Sequence, residues 1–243
     1  LKEKAPTTQD RVSITKFWMC CLEREIPLQP QGWAKVIREV VKEKRKINHS
    51  NWEHFFVHDA ACGTGKVMDE LHKQGIPVSG SDLSMLMLKE ATHTNSLATE
   101  AGESPRLFQM PWDKLADYFN EQEKKFGKSK PNILIVPGAS IPYANAWDAN
   151  PKNNDPKVRE QAIRNALTSF KESIIPGGVL LLTTTSDESF TRIKKHGNEV
   201  DEYELDFENQ GKAHVREEIT HDPKTKTRIW KTNITFSDGN IQT

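Results

Sequence analysis

Asp59-Ala60-Ala61-Cys62-Gly63-Thr64-Gly65 joins an apolar run, Phe55-Phe56-Val57-His58, to a helix-compatible segment that starts at Lys66. A strand, a turn with two glycines and a helix, in that order, open the first crossover of a parallel sheet. Glycines at 63 and 65 let the backbone turn sharply and let a ligand approach closely. The same alternation continues outward. Residues 66–74 suit a helix closed by Gly75 at its C′ position, and 77–82 a second strand. Residues 84–98 suit a helix capped by Ser84, with Leu86, Met87, Leu88 and Ala91 on its core side. Residues 106–110 read as a short strand and 113–126 as a helix. Asn132-Ile133-Leu134-Ile135-Val136 is a continuous apolar strand, the kind buried on both faces of a parallel sheet. Residues 155–173 form the longest helix, and Pro176-Gly177-Gly178 turns into a fifth strand at 179–182. The alternation predicts an α/β fold with a doubly wound, mostly parallel sheet.

The flanks read differently. Helices are expected at 13–23 and 31–46, the second with Trp33, Val36, Ile37, Val40 and Val41 on one face. After residue 186 the period becomes two: 203–207, 214–220 and 230–236 are candidate strands, with a turn at Asp222-Pro223-Lys224. The expected organisation is an N-terminal helical cap over 1–54, an α/β domain over 55–186, and a small antiparallel insert over 187–243.

Composition narrows the classes. The 243 residues carry 34 Lys plus Arg and 34 Asp plus Glu, so the formal charge is zero. That weighs against nucleic acid held by a bulk basic field. No run approaches the ~20 apolar residues of a membrane span. The N-terminus has no apolar leader, and Leu1 is not an initiator Met, so a processed or trimmed chain is expected. Cys20 and Cys21 are adjacent, and with Cys62 they form no zinc-ligand spacing; no metal is expected. So few cysteines fit a reducing, cytoplasmic setting.

Asp82 ends the second strand, 17 residues after Gly65. An acid there can accept both ribose hydroxyls of a nucleoside lying across the strand ends. A nicotinamide-type turn wants a third glycine at 68, where this chain has Met68, and the phosphate-gripping Gly-x-x-x-x-Gly-Lys-Ser/Thr loop is absent. Asp59, four residues before Gly63, places negative charge where a pyrophosphate would be repelled. The ligand implied is an adenosine with a cationic amino-acid tail, S-adenosyl-L-methionine. His58, next to Asp59, faces the other side of its strand and is expected to be structural.

On these residues the chain resembles the class I S-adenosylmethionine-dependent methyltransferases, and within them the glycine/sarcosine N-methyltransferase group. The likeness covers roughly 13–185 and continues weakly through 236. Asp59 to Gly65 is similar to that group's first motif, and Ser81-Asp82-Leu83-Ser84 to the second, whose acid holds the ribose. Gln109-Met110-Pro111-Trp112 falls where the group has a tryptophan beside the adenine, and Gly138-Ala139-Ser140 where it turns beside the methyl donor. The resemblance implies a Rossmann-like methyltransferase fold. It implies cofactor contacts at Asp59, Ala61, Gly63, Gly65, Asp82, Leu83, Met110, Trp112 and Gly138. Tyr143, on the rim, is the candidate catalytic residue; Trp147 and Asp148 belong to a lid-like loop, and His214 and His221 to the insert. The family's sheet closes with two further strands that this sequence lacks before Thr243. The expectation is therefore a trimmed chain, omitted residues, or a second copy or other partner covering the edge of the fifth strand.

Methyl transfer from a sulfonium is an in-line displacement with a neutral leaving group. It needs alignment and an unprotonated nucleophile more than a dedicated base. The acceptor is expected to be a small molecule, an amine nitrogen being favoured. Glycine is not favoured: Thr183-Thr184-Thr185 and Ala139 stand where the related enzymes hold a carboxylate with arginine and asparagine. Arg216 or Arg228 is the substitute to look for. The competing readings are a non-catalytic cofactor-binding subunit and a nucleic-acid or protein methyltransferase.

Overall fold

Pro30 starts the first helix, where a missing N–H costs no intrahelical bond. In this computed structural model the described residues are 30–45, 55–94, 107–138, 140–141, 144, 155–184, 199–207, 211–222, 227–237, 239 and 241–242. Helix α1 (Pro30–Arg45) buries Trp33, Ala34, Ile37 and Val41. Val36, expected on that face, is 36% exposed, because it falls outside the stripe that 33, 34, 37 and 41 define. The expected helix at 13–23 lies outside the described residues.

Five short strands follow: β1 (Val57–Asp59), β2 (Val78–Asp82), β3 (Leu107–Gln109), β4 (Ile133–Val136) and β5 (Val179–Leu182). They form one all-parallel sheet in the order β3-β2-β1-β4-β5. Helices α2 (Lys66–Lys73), α3 (Met85–Thr94), α4 (Leu115–Phe126) and α5 (Pro156–Ser173) connect them. The two faces can be read from β4 alone. Ile133 and Ile135 join the core beneath α1, α2 and α3, with Val67, Met68, Leu71 and Leu88. Leu134 and Val136 join the other core, with Leu115 and Phe119 of α4 and Ala166 and Phe170 of α5. Helices on both faces make the sheet doubly wound, as the unbroken apolar strands β4 and β5 require. The order reverses between β1 and β4, so a crevice is expected outside the carboxyl ends of those strands, where the Asp59 turn stands.

Helix ends obey local chemistry. At the end of α2, Gly75 at φ 74 gives its N–H to His72, and Ile76 gives its own to Leu71, a Schellman closure. Ser84 caps α3 through Met87 N–H at 3.3 Å. On α3, Met87, Leu88 and Ala91 are buried, but Leu86 is 36% exposed, contrary to expectation, because it points away from the stripe they form.

A separate unit holds the antiparallel strands β6 (Glu199–Phe207), β7 (Gly211–Asp222), β8 (Thr227–Phe236) and β9 (Ile241–Gln242), in that order. One face buries Leu205, Ala213, Val215, Ile234 and Phe236. The registers Leu205↔Ala213↔Phe236 and Tyr203↔Val215↔Ile234 align them. Strand β7 outruns its expected range at both ends, and β6 and β8 start earlier than expected but end at 207 and 236 as read from the sequence. Among the described residues no helix is long and apolar enough to cross a membrane.

Candidate functional site

The Asp59 turn, which leaves β1, is tied to the ends of the two strands beside it. Ala60 N–H donates to the Ile135 carbonyl of β4 at 3.0 Å, and Cys62 N–H to the Ser81 carbonyl of β2 at 3.1 Å. Asp59 Oδ1 accepts Ala61 N–H at 3.1 Å, an Asx turn that starts the bend. Gly63 and Gly65 stand at φ 52 and 79, the left-handed region that favours glycine. Helix α2 then leaves directly from Gly65.

Asp82 is the second tie. Its Oδ2 accepts Gly63 N–H at 2.9 Å and its Oδ1 accepts Ser84 N–H at 2.8 Å. Its carbonyl accepts Met110 N–H at 3.1 Å, which fixes the residue after β3. Met110 itself packs against the α4–α5 core. Two acidic side chains therefore stand at the carboxyl ends of neighbouring strands, with the glycine turn between them.

The electrostatics are unusual. Asp59 is fully buried and its Oδ2 has no hydrogen-bond partner among the described residues. Burial pushes its carboxyl up to about 8; the Ala61 N–H opposes the shift and the nearby Asp82 adds to it. Asp82 is partly exposed as a residue, yet desolvation still raises its carboxyl against the three N–H groups that favour the charged form. The Cys62 thiol, buried beside both acids, is raised well above its usual range, first by burial and then by their charges. His58 faces away, as expected. Its ring nitrogens reach Ser79 Oγ at 2.8 Å and Ser81 Oγ at 3.0 Å, and it stacks on Phe108. Burial lowers it to about 3, so it stays neutral.

Two residues singled out in the sequence, Met68 and Trp112, make contacts that the sequence does not show. Met68, fully buried, occupies the position where a dinucleotide turn has its third glycine, and the close approach is made from the strand side instead. A Cβ on Gly80 would stand 2.1 Å from Met68 Sδ and 2.8 Å from Cys62 Cβ. Trp112 is the second. Its indole N–H donates to the Ala60 carbonyl at 2.5 Å, and its ring meets Phe170 edge-on at 5.4 Å. The indole thus fastens the start of the turn to the α4–α5 core.

No protein-family model and no curated protein sequence matches the chain. Solved structures similar to it include an S-adenosylmethionine-dependent methyltransferase from Clostridium acetobutylicum, 17% identical, covering 82% of this chain and 79% of that one, with a TM-score of 0.43. A sugar N-methyltransferase from Streptoalloteichus is 15% identical over 97% of this chain and 81% of its own, at a TM-score of 0.48. An amino pentose methyltransferase from Micromonospora echinaspora, solved with S-adenosylmethionine bound, is 13% identical over 96% of this chain and 84% of its own, also at 0.48.

Of the expected site residues, Asp59, Ala61, Gly63, Gly65 and Asp82 are brought together by the bonds above. Leu83 follows directly and is 44% exposed, beside Met85 at 45%. Its carbonyl accepts the Gln109 side-chain amide at 2.8 Å. Gly138 stands at φ 71 just beyond β4, the neighbour of β1, and Ser140 Oγ closes that turn on the Pro137 carbonyl at 2.8 Å. Tyr143, Ala139, Trp147, Asp148 and Thr185 lie outside the described residues, as do the side chains of His221 and Arg228. His214 and Arg216 lie on the exposed face of β7, opposite Ala213 and Val215. Arg216 is engaged there by Glu202 at 2.6 Å and Glu218 at 2.9 Å, so this guanidinium is already committed to two carboxylates.

Proposed function

We propose that this chain is an S-adenosylmethionine-dependent methyltransferase whose acceptor is a small molecule, an amine nitrogen being favoured. One observation carries the reading: Asp59 and Asp82 bracket a left-handed Gly63–Gly65 turn at the switch point of a parallel sheet, and Asp59 has a buried oxygen without a partner among the described residues. Two acids at that point disfavour a pyrophosphate and suit a nucleoside with a positive tail. When bound, the cofactor supplies a methyl group on a sulfonium, which leaves as a neutral thioether.

The chain's own residues supply position. A carboxylate offers about four acceptor sites, so Asp82 retains capacity for a ribose hydroxyl beside the N–H groups of Gly63, Leu83 and Ser84. Gly63 and Gly65, lacking side chains, let the backbone come close to the ligand. Leu83 offers apolar surface beside Asp82 for a base. Asp59 supplies countercharge. Trp112 and the Ile135 carbonyl hold Ala60, and with it the turn, at a fixed height above the sheet.

The acceptor is proposed to lack a carboxylate. Thr183, whose N–H bonds the Val136 carbonyl, and Thr184 follow β5 where a cationic fork would be needed. Arg216 is bound to Glu202 and Glu218 instead. The test is methyl transfer from labelled cofactor to glycine, sarcosine and a panel of carboxylate-free amines, with cofactor binding measured in parallel. The expected result is a higher kcat/KM for a carboxylate-free amine. Glycine as the best substrate overturns the acceptor assignment, and cofactor binding without any transfer turns the chain into a binding subunit.

A further inference from the structure

Asp59 is more than a member of a binding motif. Its Oδ1 takes one backbone N–H, from Ala61, while Oδ2 is buried with no hydrogen-bond partner among the described residues. Among the described residues, the groups that shift its carboxyl are its own burial, the Ala61 N–H and Asp82, and none of them is a cation. On its own strand, the neighbouring His58 ring is turned to Ser79 and Ser81 and held neutral by burial. In the turn stands the Cys62 thiol, buried and raised. From β2 comes Asp82, a charge of the same sign. From β4 comes backbone, the Ile135 carbonyl on Ala60 N–H, and beyond it the indole N–H of Trp112 on the Ala60 carbonyl. A buried carboxylate in such surroundings is costly, and the neutral acid is the favoured form.

We propose that Asp59 determines specificity by ligand charge: it stands as a neutral acid in the ligand-free protein and gives its proton to solvent when a cationic ligand seats on the turn. The O–H bond of Asp59 breaks, the electron pair stays on the carboxylate, and the ligand's positive charge balances it. The inference rests on the cofactor reading above and goes beyond it, because it assigns a proton to the binding step. A neutral nucleoside leaves Asp59 protonated. A pyrophosphate would also keep Asp59 protonated, and the Asp82 carboxylate would be left to repel it.

The experiment is calorimetric titration of the full chain with S-adenosylmethionine at pH 6.5, in phosphate and in imidazole, two buffers of different ionisation enthalpy. With Asp59 at about 8 in the free protein, about one proton is released per site, and affinity rises about tenfold from pH 6.5 to 7.5. The neutral 5′-methylthioadenosine releases none. Asp59→Asn, an isostere of the neutral acid, removes the proton release and flattens the pH dependence of cofactor affinity. A binding heat that is the same in both buffers for the wild-type chain overturns the inference and leaves the cofactor reading standing. Unchanged proton release in Asp59→Asn also overturns it, by moving the proton to another group. No binding of the cofactor at all overturns both. The wild-type buffer comparison decides even if the variant does not fold.

Discussion

Gly80→Ala tests whether the glycine turn is held by strand β2. Gly80 is the middle residue of that strand, and Met68 of α2 fills the space where a side chain would stand. An added Cβ would lie 2.1 Å from Met68 Sδ, 2.8 Å from Cys62 Cβ and 3.0 Å from Cys62 Sγ. Met68 is fully buried, so its sulfur has no solvent to retreat into. Cys62 Cβ is fixed to the turn itself, whose N–H is bonded to Ser81. Overpacking of this kind costs about 1–3 kcal/mol, and the clash with a backbone-anchored Cβ argues for the upper end. At about 2–4 °C per kcal/mol for a chain of this size, Tm falls by roughly 2–12 °C. The thermal melt is followed by circular dichroism, beside Met68→Ala and the double variant. Removing Met68 relieves the shorter contact but not the one to Cys62, so the double variant is more stable than the sum of the singles by about 1–2 kcal/mol. A Gly80→Ala chain that melts with the wild type, or a strictly additive cycle, refutes the packing argument.

Asp82→Ala loses two N–H bonds to a carboxylate and the ribose acceptor; at about 1.5–3 kcal/mol for bonds to a charged group, cofactor affinity falls roughly 10- to 100-fold by calorimetry. Asp82→Asn keeps one carbonyl oxygen and falls between the two. Stability follows pH with opposed signs. His58, lowered to about 3 in the fold, contributes stability that is present above its usual 6.5 and is lost as pH falls toward 3. Asp59, an acid raised to about 8, binds a proton in the fold that the unfolded chain has released. Its contribution is full below about 3.8 and is lost as pH rises through 8. Urea titrations should therefore show stability declining from pH 6.5 to 8, and Asp59→Asn should flatten that decline. Trp112→Phe removes the donor to the Ala60 carbonyl while keeping an aromatic against Phe170, for a loss of about 1–3 kcal/mol in the same assay.

The elements of the α/β unit were legible because each carries its own local signal. Ile133 to Val136 could only be a buried strand, Gly75 marks the end of α2 by its backbone, and Ser84 caps α3. The identities of Asp59 and Asp82 were legible for the same reason, as acids at strand ends. What the sequence hides is pairwise. The Gly63–Asp82 bond joins residues 19 apart, and the Trp112–Ala60 bond residues 52 apart. The Met68–Gly80 contact had a signal, a glycine inside a strand, but no hint of which side chain fills the space. Face assignments failed where periodicity alone was used. Val36 and Leu86 are apolar and helical but sit off the stripe, and Arg216, a candidate for a substrate carboxylate by residue type, is turned outward by alternation from the buried Val215.

The central claim, that this turn receives an adenosine with a cationic tail and no phosphate, is tested most directly by equilibrium titration of one preparation with S-adenosylmethionine, NAD and ATP under the same conditions. The predicted result is saturable binding of S-adenosylmethionine at one site per chain, with NAD and ATP at least tenfold weaker, a difference of about 1.4 kcal/mol. NAD or ATP binding as tightly as S-adenosylmethionine would contradict it.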